Sequence, residues 1–327
     1  MFSLAEQWRQ MDKARRAPDG AQHWDERSLS YGKESNDTYA DEFIQKMGLT
    51  KKSFILDMGC GTGMLAIPLA KQGHGVIAAD FSEGMLDRLR EDARAAGVTI
   101  LEARIDGKTG KLDLPRKTDH GSASQRTASL QNVGERSSWE GYCRNDRWQE
   151  GFIIPLKLSW NDDWFSLGID DNMVDVALAS RSLITHDLAD SLDKLSRVAR
   201  HHVYTTADLG VSPRVNPVVA QAMGVPLDKH NDAVFVFGIA HELGFEPEVS
   251  YIHSPRIRVY QSRDEAYHAL LKTLDYADTS KQIDEVSAKQ RLRDWLLVHL
   301  IPGNKEGTWQ LDKPQIIPWA FIHWKTW

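Results

Sequence analysis

Cysteine is nearly absent from this chain. Only Cys60 and Cys143 occur in 327 residues, which excludes a disulfide framework and a cysteine-built zinc site. A surplus of positive charge is absent too. Forty Lys and Arg stand against 46 Asp and Glu, for a formal net charge of −6. A local basic patch aside, the chain has no electrostatic footprint for nucleic acid or an anionic membrane. No apolar run approaches the roughly 18 residues a membrane span needs. The opening stretch MFSLAEQWRQMDKARRAP lacks the apolar centre of a secretory signal. These absences predict a cytoplasmic globular protein. The length suffices for one large domain with a cap.

Tryptophan, by contrast, is plentiful. There are 11, five of them (Trp295, Trp309, Trp319, Trp324 and Trp327) in the last segment. Large aromatic side chains usually build core; an aromatic-walled substrate pocket is the competing reading.

Residues 1–50 read as amphipathic helices anchored by Trp8, Trp24 and Tyr31, with Phe43, Ile44 and Met47 at helical spacing and Gly48 as a stop. A buried strand, Ser53 to Asp57, then enters a glycine cluster, and a helix is expected over 64–70, with Pro68 in its first turns. Gly75 to Asp80 reads as a second strand, Ser82 as the cap of a helix carrying Met85, Leu86 and Leu89, and Val98 to Ala103 as a third strand. The stretch from about 106 to 151 is polar and reads as an insertion, either a surface loop or a lid. Strands are again expected at Met173–Ala179 and His202–Thr206, with an amphipathic helix from Leu188 to Ala199 between them. A helix over 232–243, a hairpin across Ser254-Pro255, helices near 262–276 and 281–300, and two short tail strands complete the chain. Strand and helix in alternation predict an α/β fold with a parallel sheet covered on both faces.

The chemistry concentrates in Asp57-Met58-Gly59-Cys60-Gly61-Thr62-Gly63. Glycines at a strand-to-helix turn let a ligand approach the backbone, and the turn offers N–H groups to an anion. Asp80 closes the next strand at the spacing of an acid that accepts from ribose hydroxyls, or else it merely caps the strand end. A dinucleotide fingerprint would place Gly or Ala where the chain has Met64. After the fourth strand comes Ser180-Arg181-Ser182-Leu183-Ile184-Thr185-His186, at the strand ends where such sheets bind ligands. Arg181 suits a substrate carboxylate or phosphate, or a surface ion pair. His186 suits a general base, or is a histidine satisfied at a helix entry. His201 and His202 point to opposite faces of a strand and make no metal pair; no metal is expected.

Phe54 to Gly63, followed by Ala79-Asp80-Phe81-Ser82-Glu83-Gly84-Met85-Leu86, resembles the first two motifs of class I S-adenosylmethionine-dependent methyltransferases, in particular the small-molecule, ubiquinone-biosynthesis-like branch. The resemblance is clear over 53–105 and loose over 153–260. It implies a Rossmann-like, mostly parallel seven-stranded sheet and S-adenosyl-L-methionine as cofactor. It implies that Asp57, Gly59, Cys60, Gly61 and Gly63 hold the methionine end, that Asp80 holds the ribose, and that Phe81 and Met85 lie near the adenine. The acid that meets the adenine amino group is Asp162 or Asp163 in preference to Asp106, with Trp160 or Trp164 as adenine neighbours or core. Ser180 lines the same site. The Pro-Pro-Tyr signature of members that methylate nucleic-acid amino groups is missing near 180, which argues for a small-molecule acceptor and no nucleic-acid partner. The expected division is a helical cap over 1–50, the methyltransferase domain over 51–262 and a helical, aromatic-rich extension over 263–327. The acceptor is expected between Ser180–His186 and the N-terminal helices around Trp24 and Tyr31, with the tryptophan-rich tail as a further candidate wall and with Tyr31 and Arg181 as contacts. A nicotinamide-dependent oxidoreductase and a non-catalytic cofactor-binding protein are the competing readings.

Overall fold

The structure, a computed structural model, describes residues 3–14, 20–28, 38–106, 111–113, 150–229 and 231–326. The N-terminal segment forms α1 (Leu4–Ala14), α2 (Ala21–Ser28) and α3 (Tyr39–Met47). There follow β1 (Phe54–Met58), α4 (Ala66–Lys71), β2 (Gly75–Asp80), α5 (Glu83–Ala95) and β3 (Thr99–Ile100). A small ribbon of β4 (Arg104–Ile105) and β5 (Leu112–Asp113) precedes β6 (Phe152–Lys157), β7 (Val174–Ser180), α6 (Leu188–Val198) and β8 (Ala199–Asp208). The remainder comprises α7 (Pro217–Met223), α8 (Asp232–Glu242), β9 (Glu248–Arg256), β10 (Val259–Tyr260), α9 (Arg263–Leu271), α10 (Glu285–His299), β11 (Leu300–Pro302), β12 (Trp309–Leu311) and β13 (Gln315–Lys325).

Eight strands form the main sheet in the order β3-β6-β2-β1-β7-β8-β13-β9. Every pairing is parallel except those of β13, which runs against both neighbours. Side chains alternate across a strand, and the two cores follow that alternation. Phe54, Leu56 and Met58 of β1 face one cluster with Leu188, Leu192 and Leu195 of α6 and Ala233, Val236 and Ile239 of α8. Ile55 of β1 faces the other, with Phe43 of α3, Leu69 of α4 and Leu89 of α5. Burial on both faces explains why β1, β2 and β7 are almost uninterrupted apolar runs.

Several expectations need correction. The sheet has eight strands, not seven. The third strand expected at Val98–Ala103 shrinks to the two-residue edge β3, and Phe152–Lys157 takes the place beside β2. The two share a register, Thr99 opposite Phe152, so the long excursion falls between neighbouring strands. The hairpin across Ser254-Pro255 does not form. β9 continues through Pro255 to Arg256 and pairs with β13, and Val259–Tyr260 pairs with β12 instead. Pro255 sits on the sheet's outer strand, where a missing N–H is tolerated. The tail ends in a long inner strand, so a boundary at 262 parts β13 from the sheet to which it is bonded. Trp319 and Trp324 on that strand are buried, and Trp324 Nε1 donates to Ser196 Oγ at 3.0 Å. Trp327 lies outside the described residues.

The chain between β8 and α8 and that between β9 and β13 together build a second module. Its own core gathers Val219 and Met223 of α7, Leu270 of α9, and Leu292 and Leu296 of α10. The antiparallel sheet β10-β12-β11 covers it. Both excursions leave from the carboxyl ends of β8 and β9, so the module rises on the ligand-binding edge of the sheet. Among the described residues no helix is long and apolar enough to cross a membrane.

Candidate active site

At the end of β1 the chain turns sharply. Gly59 N and Cys60 N both donate to Ala79 O, at 2.7 and 3.0 Å, which clamps the turn onto β2. Gly59, Gly61 and Gly63 all adopt positive φ, at 76°, 54° and 88°, a region costly for side chains with a Cβ. Two of them have different reasons to be glycine. A Cβ on Gly59 would lie 2.3 Å from Ser182 Cβ, so close packing with the β7 end requires glycine there. A Cβ on Gly61 would meet no atom within 4 Å. Gly61 therefore faces open space, as a backbone cradle for a ligand does. The helix begins at Ala66, later than the expected 64, so the N–H groups available to a ligand belong to the turn.

Two carboxylates lie beneath this turn. Asp80 closes β2 and accepts from Gly61 N at 2.9 Å and from Ser82 N at 2.9 Å, fastening the second glycine to the start of α5. Asp57 is buried at the end of β1. Burial, reinforced by the neighbouring Asp80 charge, pushes its carboxyl up to about 8. Burial also raises Asp80, but backbone N–H donors from Ser82, Gly61 and Phe81 oppose the rise. Donors that favour the ionised form assign the charge to Asp80 and the proton to Asp57. The buried Cys60 thiol is pushed well up by burial and by both carboxylates, so it is no nucleophile.

The remaining expected residues divide. Phe81 is 36% exposed at the site mouth, whereas Met85 is fully buried inside α5. Asp162 accepts from Ser159 N at 2.7 Å, and Asp163 accepts from Ser166 N and Oγ at 3.1 and 2.6 Å, so each ties its own turn after β6. Trp160 stacks on Trp164 at 5.7 Å, and its Nε1 donates to Ser182 O at 3.0 Å. Ser180 Oγ shares a 2.7 Å hydrogen bond with Tyr39 OH. Arg181 has φ 57°, rare outside glycine. Its guanidinium lies 4.5 Å from the Tyr39 ring centroid and 2.8 Å from Met64 Sδ, just past the glycine turn. His186 is exposed ahead of Asp187, the cap of α6. Tyr31 lies outside the described residues, as does most of the 106–151 insertion.

Three residues of the site escape a reading of the sequence. Ser182 Oγ donates to Met58 O at 2.6 Å and packs on Gly59. Tyr39 OH joins Ser180 to Thr206 Oγ1, 2.7 Å from each, across the ends of β7 and β8. Asp25 of α2 accepts from Ser82 Oγ at 2.6 Å and Gly84 N at 3.0 Å, holding an N-terminal helix against the first turn of α5. The only sequence signal for that contact is Gly84, where a Cβ would lie 2.9 Å from Asp25 Cα.

A family model described as "Methyltransferase domain" matches residues 55–120, the stretch that contains the glycine turn and Asp80. The chain carries a class I, S-adenosylmethionine-dependent methyltransferase domain. Its cofactor is S-adenosylmethionine. Curated relatives include an uncharacterised protein of Haemophilus influenzae, 25% identical over 82% of this chain and 77% of that one. An Arabidopsis thaliana protein named probable protein arginine N-methyltransferase 1.2 is 24% identical over 53% of this chain and 50% of its own length. The Escherichia coli tRNA 5-carboxymethoxyuridine methyltransferase is 42% identical over 18% of this chain and 22% of its own. The chain thus spans half or less of the latter two. Their printed acceptors are of unlike kinds. The oxidoreductase and non-catalytic readings find no support in these comparisons.

Proposed function

We propose that the methyltransferase domain methylates a small-molecule acceptor seated over the carboxyl ends of β1, β7 and β8. The observation that carries this reading is the bond from Gly61 N to Asp80, which sets an open backbone cradle beside a charged carboxylate. That pairing fits a ligand with an amino-acid end and a ribose. Asp57, Gly59, Cys60, Gly61 and Gly63 would hold the amino-acid end, and Asp80 the ribose hydroxyls. Phe81 would cover the adenine, with Met85 packed behind it and Asp162 or Asp163 as the adenine's acid. Ser180 would line the methyl end.

S-adenosylmethionine, when bound, supplies a methyl group already activated by sulfonium charge. The protein's work is therefore alignment and exclusion of water. Tyr39 fixes the ends of β7 and β8 relative to each other, α2 closes the side above α5, and Arg181 faces the acceptor from the strained end of β7. Backbone strain held at such a position is typical of functional sites. His186, the base expected from the sequence, is exposed ahead of α6. Residues 1–50 then serve two ends, with α2 belonging to the site.

Replacing Asp80 tests the reading. Asp80→Ala should weaken binding of S-adenosylhomocysteine by roughly 1.5–3 kcal/mol, the range for hydrogen bonds to a charged group. Asp80→Asn, which keeps an acceptor, should lose less. Unchanged affinity in calorimetry for the alanine variant would remove the ribose assignment.

A further inference from the structure

The two edges of the main sheet are unlike. One edge is β3, two residues long and too short to template another strand. The other is β9, nine residues from Glu248 to Arg256, about 30 Å of backbone, bonded only to β13. Among the described residues, no group outside β13 hydrogen-bonds to the backbone of Glu248–His253. Val249 and Tyr251 are 46% and 51% exposed, and the exposed His253 shares their face. Ile252 and Ser254 alternate with them and are buried, Ile252 in the core with Phe43 of α3. On β13, Ile316 lies opposite Pro255 and adds a third half-exposed apolar side chain. Long edges are ordinarily blunted by charges within the strand. Between its two end residues β9 has no Asp, Glu, Lys or Arg, and its one proline, Pro255, stands next to last.

The strand is also complementary to itself. Set antiparallel to a second β9 about Ile252, it brings Glu248 opposite Arg256, Val249 opposite Pro255, Ser250 opposite Ser254, Tyr251 opposite His253 and Ile252 opposite its counterpart. Its only charged residues then meet as opposites. Tyr251 and His253 rings meet on the exposed face, and hydroxyls meet on the other. A parallel arrangement would instead set Glu248 beside Glu248 and Arg256 beside Arg256. Arg256 donates to Pro213 O and to Gln315 Oε1, which keeps its charge at a fixed place at that end. Pro255 falls in an outer pair, so its missing N–H costs at most one bond at each end.

We propose that β9 is the contact of a two-fold dimer, in which a second copy of this chain adds its β9 antiparallel to the first and the two eight-stranded sheets become one. Such an isologous contact closes after two chains, and main-chain pairing supplies the adhesion, as in other strand additions. β9 lies four strands from β1, about 19 Å across the sheet, so the glycine turn stays clear of the contact. The paired β9 strands run oppositely, and the two second modules therefore leave from opposite ends of the joined sheet. The proposal is independent of what the methyl acceptor is.

Sedimentation equilibrium on the full chain tests it. The unaltered protein should show twice the 37.0 kDa of one chain. Tyr251→Glu with His253→Glu, both at exposed positions, sets carboxylate against carboxylate in the two pairs that flank the axis. That variant should associate about tenfold or more weakly. Tyr251→Glu with His253→Lys sets carboxylate against ammonium in the same pairs, with as many substitutions on the strand, and should keep the dimer. A second measurement needs no variant: amide exchange within 249–253 should be slower in concentrated than in dilute protein, by about tenfold or more at the N–H groups that face outward. A monomer at every concentration would overturn the proposal, including one whose edge instead pairs with a foreign extended peptide. So would a dimer that the double-glutamate variant retains, equal dissociation of both double variants, or exchange within 249–253 that ignores concentration.

Discussion

The cradle at the β1 end and the cavity between the main sheet and the second module, lined by Arg214, Arg256, Arg258, Lys272 and Lys313, are built from opposite materials. The cradle is backbone: three glycines at positive φ, N–H groups clamped to Ala79, and two buried carboxylates. The wall is side chain: long cations from loops and strand ends, set on a module with its own core. Backbone geometry holds a ligand closely and leaves little latitude at the glycines. A wall of arginines and lysines can be re-aimed by changing a few side chains while the sheet stays as it is.

The largest effect should come from breaking the cradle. Gly61→Val puts a branched side chain into the open space of the turn, with φ 54° adding strain of about 1–2 kcal/mol. No protein atom obstructs the new Cβ, so the variant should fold and lose measurable S-adenosylhomocysteine binding in calorimetry. Normal binding by a folded variant would make the turn merely structural and erase the contrast with the wall.

The N-terminal helices sharpen the comparison next, because the expected single cap splits into two. Trp8 of α1 is 2% exposed, donates to Thr185 O at 3.0 Å and meets the Phe235 ring at 5.6 Å. α1 is therefore core. Trp8→Ala should cost about 3–5 kcal/mol of unfolding free energy, read by denaturant titration. Asp25 of α2 holds the start of α5. Asp25→Ala should lower methyl transfer with little change in the thermal midpoint. Deleting residues 1–35, most of what the sequence presents as a helical cap, should therefore unfold the protein in part. Equal losses of stability from both substitutions would make α2 core as well.

Contiguity explains how much of this was legible. Asp57 to Ser82 is one run, each strand end followed by its turn, so local spacing carried both the cradle and the Asp80 assignment. The wall draws Arg214, Arg256, Lys272 and Lys313 together through tertiary packing, which leaves no local pattern. The same reason hides Asp25 and Tyr39, whose partners lie 57 and 141 residues away. Edge pairing misled the strand count. Val98 to Ala103 has the composition of a strand, but Leu101 leaves the ladder after one more bond, to Ile153 O, and Phe152–Lys157 occupies the inner position. The Ser254-Pro255 turn signal failed because an outer strand absorbs a proline.

A smaller effect, in pH dependence, follows from Asp57. Its carboxyl is raised to about 8 in the folded protein from an ordinary 3.8. Between these values the folded state holds a proton that the unfolded state has released, so stability falls as pH rises from about 4 to about 8 and then levels. Asp57→Asn removes the titration. The variant's thermal midpoint should decline less over that window, and it should be the more stable of the two near pH 8. Parallel curves for variant and unaltered protein would mean that Asp57 is ionised throughout, and that the cradle carries two negative charges rather than one.

The smallest effect concerns the excursion between the two halves. From the sequence, residues from about 106 to 151 form one dispensable insertion. Within it, Leu112 is buried in the main core, its N–H donates to Leu167 O at 2.8 Å, and Leu112–Asp113 pairs with Arg104–Ile105. At the far end, a Cβ on Gly151 would lie 2.0 Å from Ala70 O, so the chain enters β6 against α4 with no room for another residue type. Both ends are thus fastened, and only the stretch between them is open to replacement. Residues 114–149, whose placement lies outside the described residues, are polar in composition with few apolar side chains to contribute to a core. Replacing 114–149 with a Gly/Ser linker should therefore leave the thermal midpoint nearly unchanged. Replacing 106–151 should lower it, because a buried leucine is lost at a typical cost of about 2–5 kcal/mol. A large loss from the shorter replacement would give the insertion a structural part that its composition does not reveal. Unchanged stability with lost methyl transfer would instead make it a wall of the site, beside α2.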